Sequence, residues 1–564
     1  MNRFLFLFIL SVYLYTGNVF AQQTFPQALF RNPLQIPVAL AGSFAECRPN
    51  HFHTGIDLKT NNKENLPVLA AADGYISRIS VSHSGYGNCL YLTHPNGYTT
   101  VYGHLNDFVP QLMAYLKQQQ YAQKKWNVNI ELPAGTFNFK QGDQIAFSGN
   151  TGGSTAPHLH FEIRDSKTEA VFNPLLFGFG VKDNIAPKAK QIAYYNADNF
   201  YGSQPVFVTL PATTSGKYLP GLTKIPFAKV FAGVDVLDYV NGSQNWLGVR
   251  NLKLFDGTQL LTEVALEGLF FSQNRAINAY ADYRTYKSRN IWFQGLYRLK
   301  NNPLDIYSNI RNRGIIDLSD GKIHQIRIVM EDAFNNVATI LHSLQYTLPV
   351  TATEPCKGRW TAGIANYYRH FSNQLFLELP AACLYDDVCV NVKAKLNPKG
   401  LSCVFDLLSG QIPAHDYFKL GIKLHRELPP HLHSKLVFIH KIPNASLPGS
   451  NSQDAQVAQL EGHYAVARVR SFGQYTIGID TIPPVLKRVN NSHVKKIQIT
   501  ATDQLTGIKT FNGSINGAWA CFNRVGNQFY YTLSSEDPEG TLQFEIIATD
   551  ESNNEKKLMF SVKH

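Results

Sequence analysis

The run from Ser148 to Glu162, Ser-Gly-Asn-Thr-Gly-Gly-Ser-Thr-Ala-Pro-His-Leu-His-Phe-Glu, constrains this chain more than any other part of it. A loop rich in glycine and serine leads into His158-Leu159-His160. Side chains alternate faces along a strand, so both imidazoles point one way and Leu159 points to a core. Upstream stand His53-Thr54-Gly55-Ile56-Asp57 and Tyr102-Gly103-His104-Leu105. Imidazole and carboxylate are ligands that zinc takes, and a catalytic zinc keeps three of them with one position open. His53, Asp57 and His160 are the expected three. His158 then sits beside the ion, free to move a proton, an arrangement suited to hydrolysis. The glycines before it are expected to let backbone approach a substrate closely.

These residues together resemble the lysostaphin/LytM-type zinc metallopeptidases, which cleave peptides of bacterial peptidoglycan. The resemblance is carried by His53-x-x-x-Asp57, by Tyr-x-His104-Leu, and by Ser-Gly-Asn-Thr-Gly-x-Ser-x-x-Pro-His158-Leu-His160-Phe-Glu. It covers roughly residues 40–180. The resemblance implies the same Zn2+ ligands, His53, Asp57 and His160, and makes His158 the general base. It makes His104 the partner that orients water or stabilises the oxyanion. Some members use a tyrosine near the first ligand. Here Cys47-Arg48-Pro49-Asn50 occupies that run, and the tyrosine has no evident counterpart.

The chain has 564 residues, enough for several domains. Hydrophobic residues make up 44%, aromatics 12% and charged residues only 16%, a strand-favouring texture unlike that of a disordered chain. The net charge of +11 suits attraction to polyanions. No clustered basic run or nucleic-acid motif accompanies it, so no nucleic-acid partner is expected and an anionic envelope fits better. Met1-Asn2-Arg3, an apolar run from Phe4 to Tyr15 and Val19-Phe20-Ala21 read as a signal peptide over residues 1–21. Export to the periplasm or cell envelope, with secretion beyond it as the wider case, is expected. Seven cysteines leave at least one unpaired, and four of them fall between Cys356 and Cys403, where a local disulfide fits.

The expected fold class is mainly β: an antiparallel metallopeptidase core over 40–180, followed by β-sandwich domains of immunoglobulin type. Pro95-Asn96-Gly97 marks a hairpin, and Tyr98–Tyr102 the strand after it, with His104 just past its end. Pro110–Lys125 carries helical spacing and reads as an inserted helix that either forms one wall of the cleft, the favoured reading, or decorates the surface. Residues 188–346 and 484–564 end alike: an alternating strand runs to Asp332 or Asp550, then come Asn335-Asn336 or Asn553-Asn554, then another strand. This echo suggests the last hairpin of two sandwiches. Residues 356–480 form a β-rich unit of uncertain type, reached through a linker at Pro349–Pro355. His431 and His433 repeat the H-x-H spacing after a double proline and read as a turn. His51 is either a group orienting a ligand or a surface histidine, and Glu162 is structural or supports His160.

The function these readings support is an exported zinc endopeptidase acting on peptidoglycan stem or cross-link peptides. The alternative is a non-catalytic envelope scaffold or activator that binds cell-wall peptide or a partner amidase. A protease of other proteins is a third class. Envelope proteins are candidate partners of the C-terminal β domains.

Overall fold

The strand His158–Asp165 runs between Ile56–Lys59 and Tyr98–Leu105, and this three-strand ribbon positions everything of interest. The sheet continues in the order Leu40–Gly42, Ile56–Lys59, His158–Asp165, Tyr98–Leu105, Asn88–Thr93, Gly74–Val81 and Val128–Glu131, all antiparallel. Ile56, Leu58, Leu90, Leu92, Leu159, Phe161 and Ile163 are buried in one core beneath it. The computed structural model describes residues 24–213, 215–348, 356, 358–441, 453–489 and 495–564. The signal peptide expected over 1–21 and the linker Pro349–Pro355 lie outside the described residues.

The protein is mainly β with antiparallel sheets, as its texture indicates. Downstream of the first sheet, three further units each place two sheets over one apolar core. Their cores lie in residues 189–344, 360–477 and 486–562. The 189–344 core also takes in Phe44, Ala45, Cys47 and Phe52 from the first unit. The unit around it departs from a plain sandwich, because Lys217–Ile225 pairs in parallel with Val337–Tyr346 and short helices occupy Phe271–Arg289. Val171–Phe172 pairs with Gly268–Leu269, so the first sheet runs directly into the second unit.

The echo between the two hairpins is structural. Ile323–Glu331 pairs with Val337–Tyr346, and Thr541–Asp550 pairs with Glu555–Lys563. In each turn the first aspartate accepts from the backbone and side-chain amide of the last asparagine: Asp332 from Asn336, Asp550 from Asn554. Asn335 and Asn553 take left-handed φ of 66° and 56°, a conformation asparagine tolerates. Cys356 and Cys389 form a disulfide. Among the described residues no helix is long and apolar enough to cross a membrane.

The inserted helix spans Pro110–Gln123, with Leu112 and Leu116 buried beneath it. Its outer face meets the last unit. Lys117 pairs with Glu536, Tyr121 meets Trp519 edge to face, and Trp126 Nε1 donates to Asn523 Oδ1 at 2.9 Å. The helix is therefore a seat for the C-terminal unit. The cavity beside the candidate site is lined jointly, by Asn88, Asn106 and Thr151 on one side and Asn523 to Gly526 on the other.

Candidate metal centre

Register alone brings two of the expected ligands together. Asp57 and His160 are directly opposite each other on neighbouring strands, and such pairs hold their Cβ atoms about 5 Å apart. His53 comes from the turn just before Ile56–Lys59. That turn must pass close to the His158–Asp165 strand. A Cβ on Gly55 would lie 2.3 Å from the Phe161 carbonyl oxygen, so glycine is required there.

The donor atoms converge. His53 Nε2 lies 3.0 Å from His160 Nδ1 and 3.0 Å from Asp57 Oδ1, and His160 Nδ1 lies 2.9 Å from Asp57 Oδ1. A tetrahedral ion with bonds of about 2.0–2.1 Å separates its ligands by roughly 3.3 Å. The three side chains thus fit zinc with small adjustments. All three residues are buried.

A second set of contacts aims them. His53 Nδ1 lies 2.7 Å from the Ser43 carbonyl oxygen, which only accepts, so the hydrogen sits on Nδ1 and Nε2 is left as a lone pair. His160 Nε2 donates to Glu162 Oε1 at 2.9 Å, which turns Nδ1 toward the centre. Arg48 Nη2 donates to Asp57 Oδ2 at 2.8 Å, leaving Oδ1 for the centre. Glu162 in turn is gripped by Arg164, Thr54 and Tyr86.

Electrostatics follow from burial and these partners. Burial pushes His53 below the usual imidazole range, against the pull of Asp57. Burial also acts to lower His160, but hydrogen bonds and charges from Asp57 and Glu162 outweigh it and raise the net value. Glu162 would be raised by burial, yet Arg164 and His160 hold it well below the carboxylate range. A proton and a cation therefore compete for His160 Nδ1.

His158 and His104 stand beside this triad. His158 Nδ1 lies 2.8 Å from the Ala156 carbonyl oxygen, and its Nε2 lies 3.4 Å from Asp57 Oδ1. His104 Nδ1 lies 2.8 Å from the Thr151 carbonyl oxygen, and its ring centre is 4.7 Å from that of His158. His104 is lowered to about 3, chiefly by burial and then by His160 and His158.

The geometry corrects one expectation. His104 lies inside the strand Tyr98–Leu105, not past its end. Asn88 pairs with Leu105 and Leu90 with Tyr102, so Gly103 and His104 together oppose Cys89, and His104 takes φ 60°. That bulge re-aims His104, which strict alternation would turn away from His160. The glycine-rich loop also packs closely on the chain itself. A Cβ on Gly152 would lie 2.3 Å from the Gly87 nitrogen, and Gly153 donates to the Gly85 carbonyl oxygen.

His51, Cys47 and His433 lie outside the centre. His51 is exposed and bonds the Pro49 carbonyl oxygen. Cys47 is buried in the 189–344 core. His433 lies in a short 3-10 helix, bonded to the Leu428 carbonyl oxygen. Sequence reasoning missed Arg48, Tyr86 and Arg164. The last was legible, because His158, His160, Glu162 and Arg164 continue a single period-two row.

Comparison with known proteins agrees with this geometry. Residues 51–124 match the Peptidase family M23 model, and residues 364–480 match a Zu5-like domain. The chain is 37% identical over 113 residues to the DD-carboxypeptidase/endopeptidase Mpg of Neisseria meningitidis, covering 20% of each chain. It is 27% identical over 192 residues to the peptidoglycan DD-endopeptidase ShyC of Vibrio cholerae, covering 32% of this chain and 37% of that one. The chain thus spans about a fifth to a third of these relatives' length. The lysostaphin catalytic domain of Staphylococcus simulans aligns at 25% identity and TM-score 0.18, over 25% of this chain and 88% of that one. The unit that gathers His53, Asp57 and His160 is a peptidase domain of family M23, the lysostaphin/LytM type.

Proposed function

We propose that this protein is an exported zinc endopeptidase that hydrolyses peptide bonds in peptidoglycan stem or cross-link peptides. The observation that carries the reading is the meeting of His53 Nε2, Asp57 Oδ1 and His160 Nδ1 within 3.0 Å, each aimed by a further bond. The M23 match and the names of the two relatives support the reaction class and the substrate. The apolar leader at Phe4–Tyr15 supports export.

His53, Asp57 and His160 would hold the ion. When bound, zinc polarises a carbonyl and makes water more acidic. The chain's own work is proton handling. His158 donates its Nδ1 hydrogen to the Ala156 carbonyl, so Nε2 carries a lone pair facing the centre. That atom takes the proton of the attacking water and returns it to the leaving amine. His104, held near 3, is too weakly basic to share that task. Its Nδ1 hydrogen is committed to Thr151, so its Nε2 orients water as an acceptor rather than donating to an oxyanion.

The test is digestion of cross-linked peptidoglycan by the purified protein with zinc supplied, and again after chelation. Activity is expected only with zinc. His53→Ala is expected to lose both metal and activity. His158→Ala is expected to keep metal and lose turnover by about 100-fold or more, the scale of general base catalysis. Full turnover in chelator, or equal metal loss in both variants, would reverse this reading.

A further inference from the structure

Far from the histidines, Asp183, Asp238 and Asp332 place one carboxylate oxygen each within 4.8 Å of one another. They come from three separate segments. Asp183 lies in the join leaving the peptidase domain, Asp238 just after the strand Lys229–Leu237, and Asp332 in the turn after Ile323–Glu331. Asp238 is only 3% exposed and Asp332 is fully buried. Among the described residues none of the three pairs with a lysine or arginine.

One atom gives this cluster its meaning. Asp238 Oδ1 is buried without a hydrogen-bond partner. Its neighbours are satisfied: Asp183 accepts from Ile185 N and Asn336 Nδ2, and Asp332 accepts from Phe334 N and from Asn336 N and Nδ2. A carboxylate oxygen shut away from water beside two other carboxylates is costly unless a cation meets it. Burial, and then Asp332, push Asp238 up to about 8, while burial and Asp332 push Asp183 up to about 6.

We propose that Asp183, Asp238 and Asp332 bind a calcium ion that pins the peptidase domain to the unit behind it. An all-oxygen, carboxylate-rich donor set suits a hard divalent cation. Ca–O bonds of about 2.3–2.6 Å allow oxygens up to roughly 5 Å apart across the ion. Calcium tolerates irregular geometry from flexible segments, whereas magnesium demands near-ideal octahedral ligation. The place is right for a clamp, because Val181, Val240, Leu247, Ala333 and Phe334 around it pack onto the peptidase core. The site makes no use of His53, Asp57 or His160 and stands whether or not the protein cleaves peptidoglycan.

The last unit supplies an internal contrast. Asp480, Asp503 and Asp550 cluster similarly. There, Asp503 Oδ2 accepts three backbone amides, and Asp480 accepts from Ile482 N and Thr506 Oγ1. None of these three leaves a buried oxygen unpartnered among the described residues.

The test uses the zinc-loaded full chain in calcium-free buffer, titrated with CaCl2 and separately with MgCl2. Calorimetry and thermal unfolding are the readouts. Calcium is expected to bind with Kd of about 0.1–1 mM and to raise the melting temperature by a few degrees. Magnesium is expected to do so at least tenfold more weakly. Asp238→Asn should lose tenfold or more in calcium affinity, yet melt no lower than wild type without calcium at neutral pH, since it removes a carboxyl that folding must keep protonated. Asp480→Asn should keep the calcium response. No calcium binding by wild type up to 5 mM, roughly the weak limit of such sites, or undiminished binding by Asp238→Asn, would overturn the proposal.

Discussion

At the scale of single residues the centre depends on groups that never touch an ion. Glu162 accepts the His160 Nε2 hydrogen and sits against Arg164 with no exposure. Glu162→Gln is expected to weaken zinc affinity by about 10–100-fold, the usual effect of losing such an outer partner. It should also cost up to about 3 kcal/mol, because buried Arg164 loses its nearer counter-charge and keeps only Glu169 at 3.4 Å. A zinc competition titration and a denaturant melt measure the two separately; unchanged affinity would make Glu162 purely structural. Asp238 supplies a pH prediction of known sign. Its folded value, raised from 3.8 to about 8, means the folded state holds the proton more tightly than the unfolded chain. Without calcium its contribution to stability is therefore complete below about 4 and is lost as pH rises toward 8. Unfolding midpoints of wild type and Asp238→Asn across that range should diverge accordingly.

At the scale of elements, the close approach of the His53 turn to the strand His158–Asp165 decides whether the centre forms. Gly55→Ala puts a methyl 2.3 Å from the Phe161 carbonyl oxygen, a backbone atom that cannot swing aside. The turn must then move, and the expected cost is above about 3 kcal/mol, with zinc binding lost. Zinc content of the folded fraction checks this, and a variant that retains full occupancy would mean the turn has slack. The same element scale explains what was readable beforehand. Alternation predicted the facing of His158 and His160, and it extends to Glu162 and Arg164. It could not predict His104, because a bulge inserts a residue and reverses the count.

For the whole molecule, the turn that carries His53 is sandwiched between two units. Phe44 and Phe52 are buried in the neighbouring core, Phe52 N donates to Asn274 Oδ1, and Gly248 N donates to Ser43 Oγ. Ser43 is also the residue whose carbonyl aligns His53. A truncation ending at 187 strips these contacts and exposes Phe44 and Phe52 to water. It is expected to bind zinc more weakly and melt lower than a truncation ending at 346. Comparing metal content and melting of the two decides it, and equal behaviour would show the peptidase domain to be self-sufficient.

The residues of the centre were legible in the chain because they are written as residue types at short spacings. The period of a strand is two, so His158-Leu159-His160 announces its own geometry. The β class was legible for the same reason, through alternation and turn residues. The partners of the centre were not: Ser43 and Arg48 reach it from ten and nine residues away through turns with no regular period, and Tyr86 reaches Glu162 from 76 residues away. The seat of the inserted helix was settled by Trp519 and Glu536, some 400 residues away along the chain. The three aspartates of the second cluster were equally invisible, since residues 183, 238 and 332 meet only once two sheets close over one core. Local spacing encodes which atoms are offered; only folding sets which of them meet.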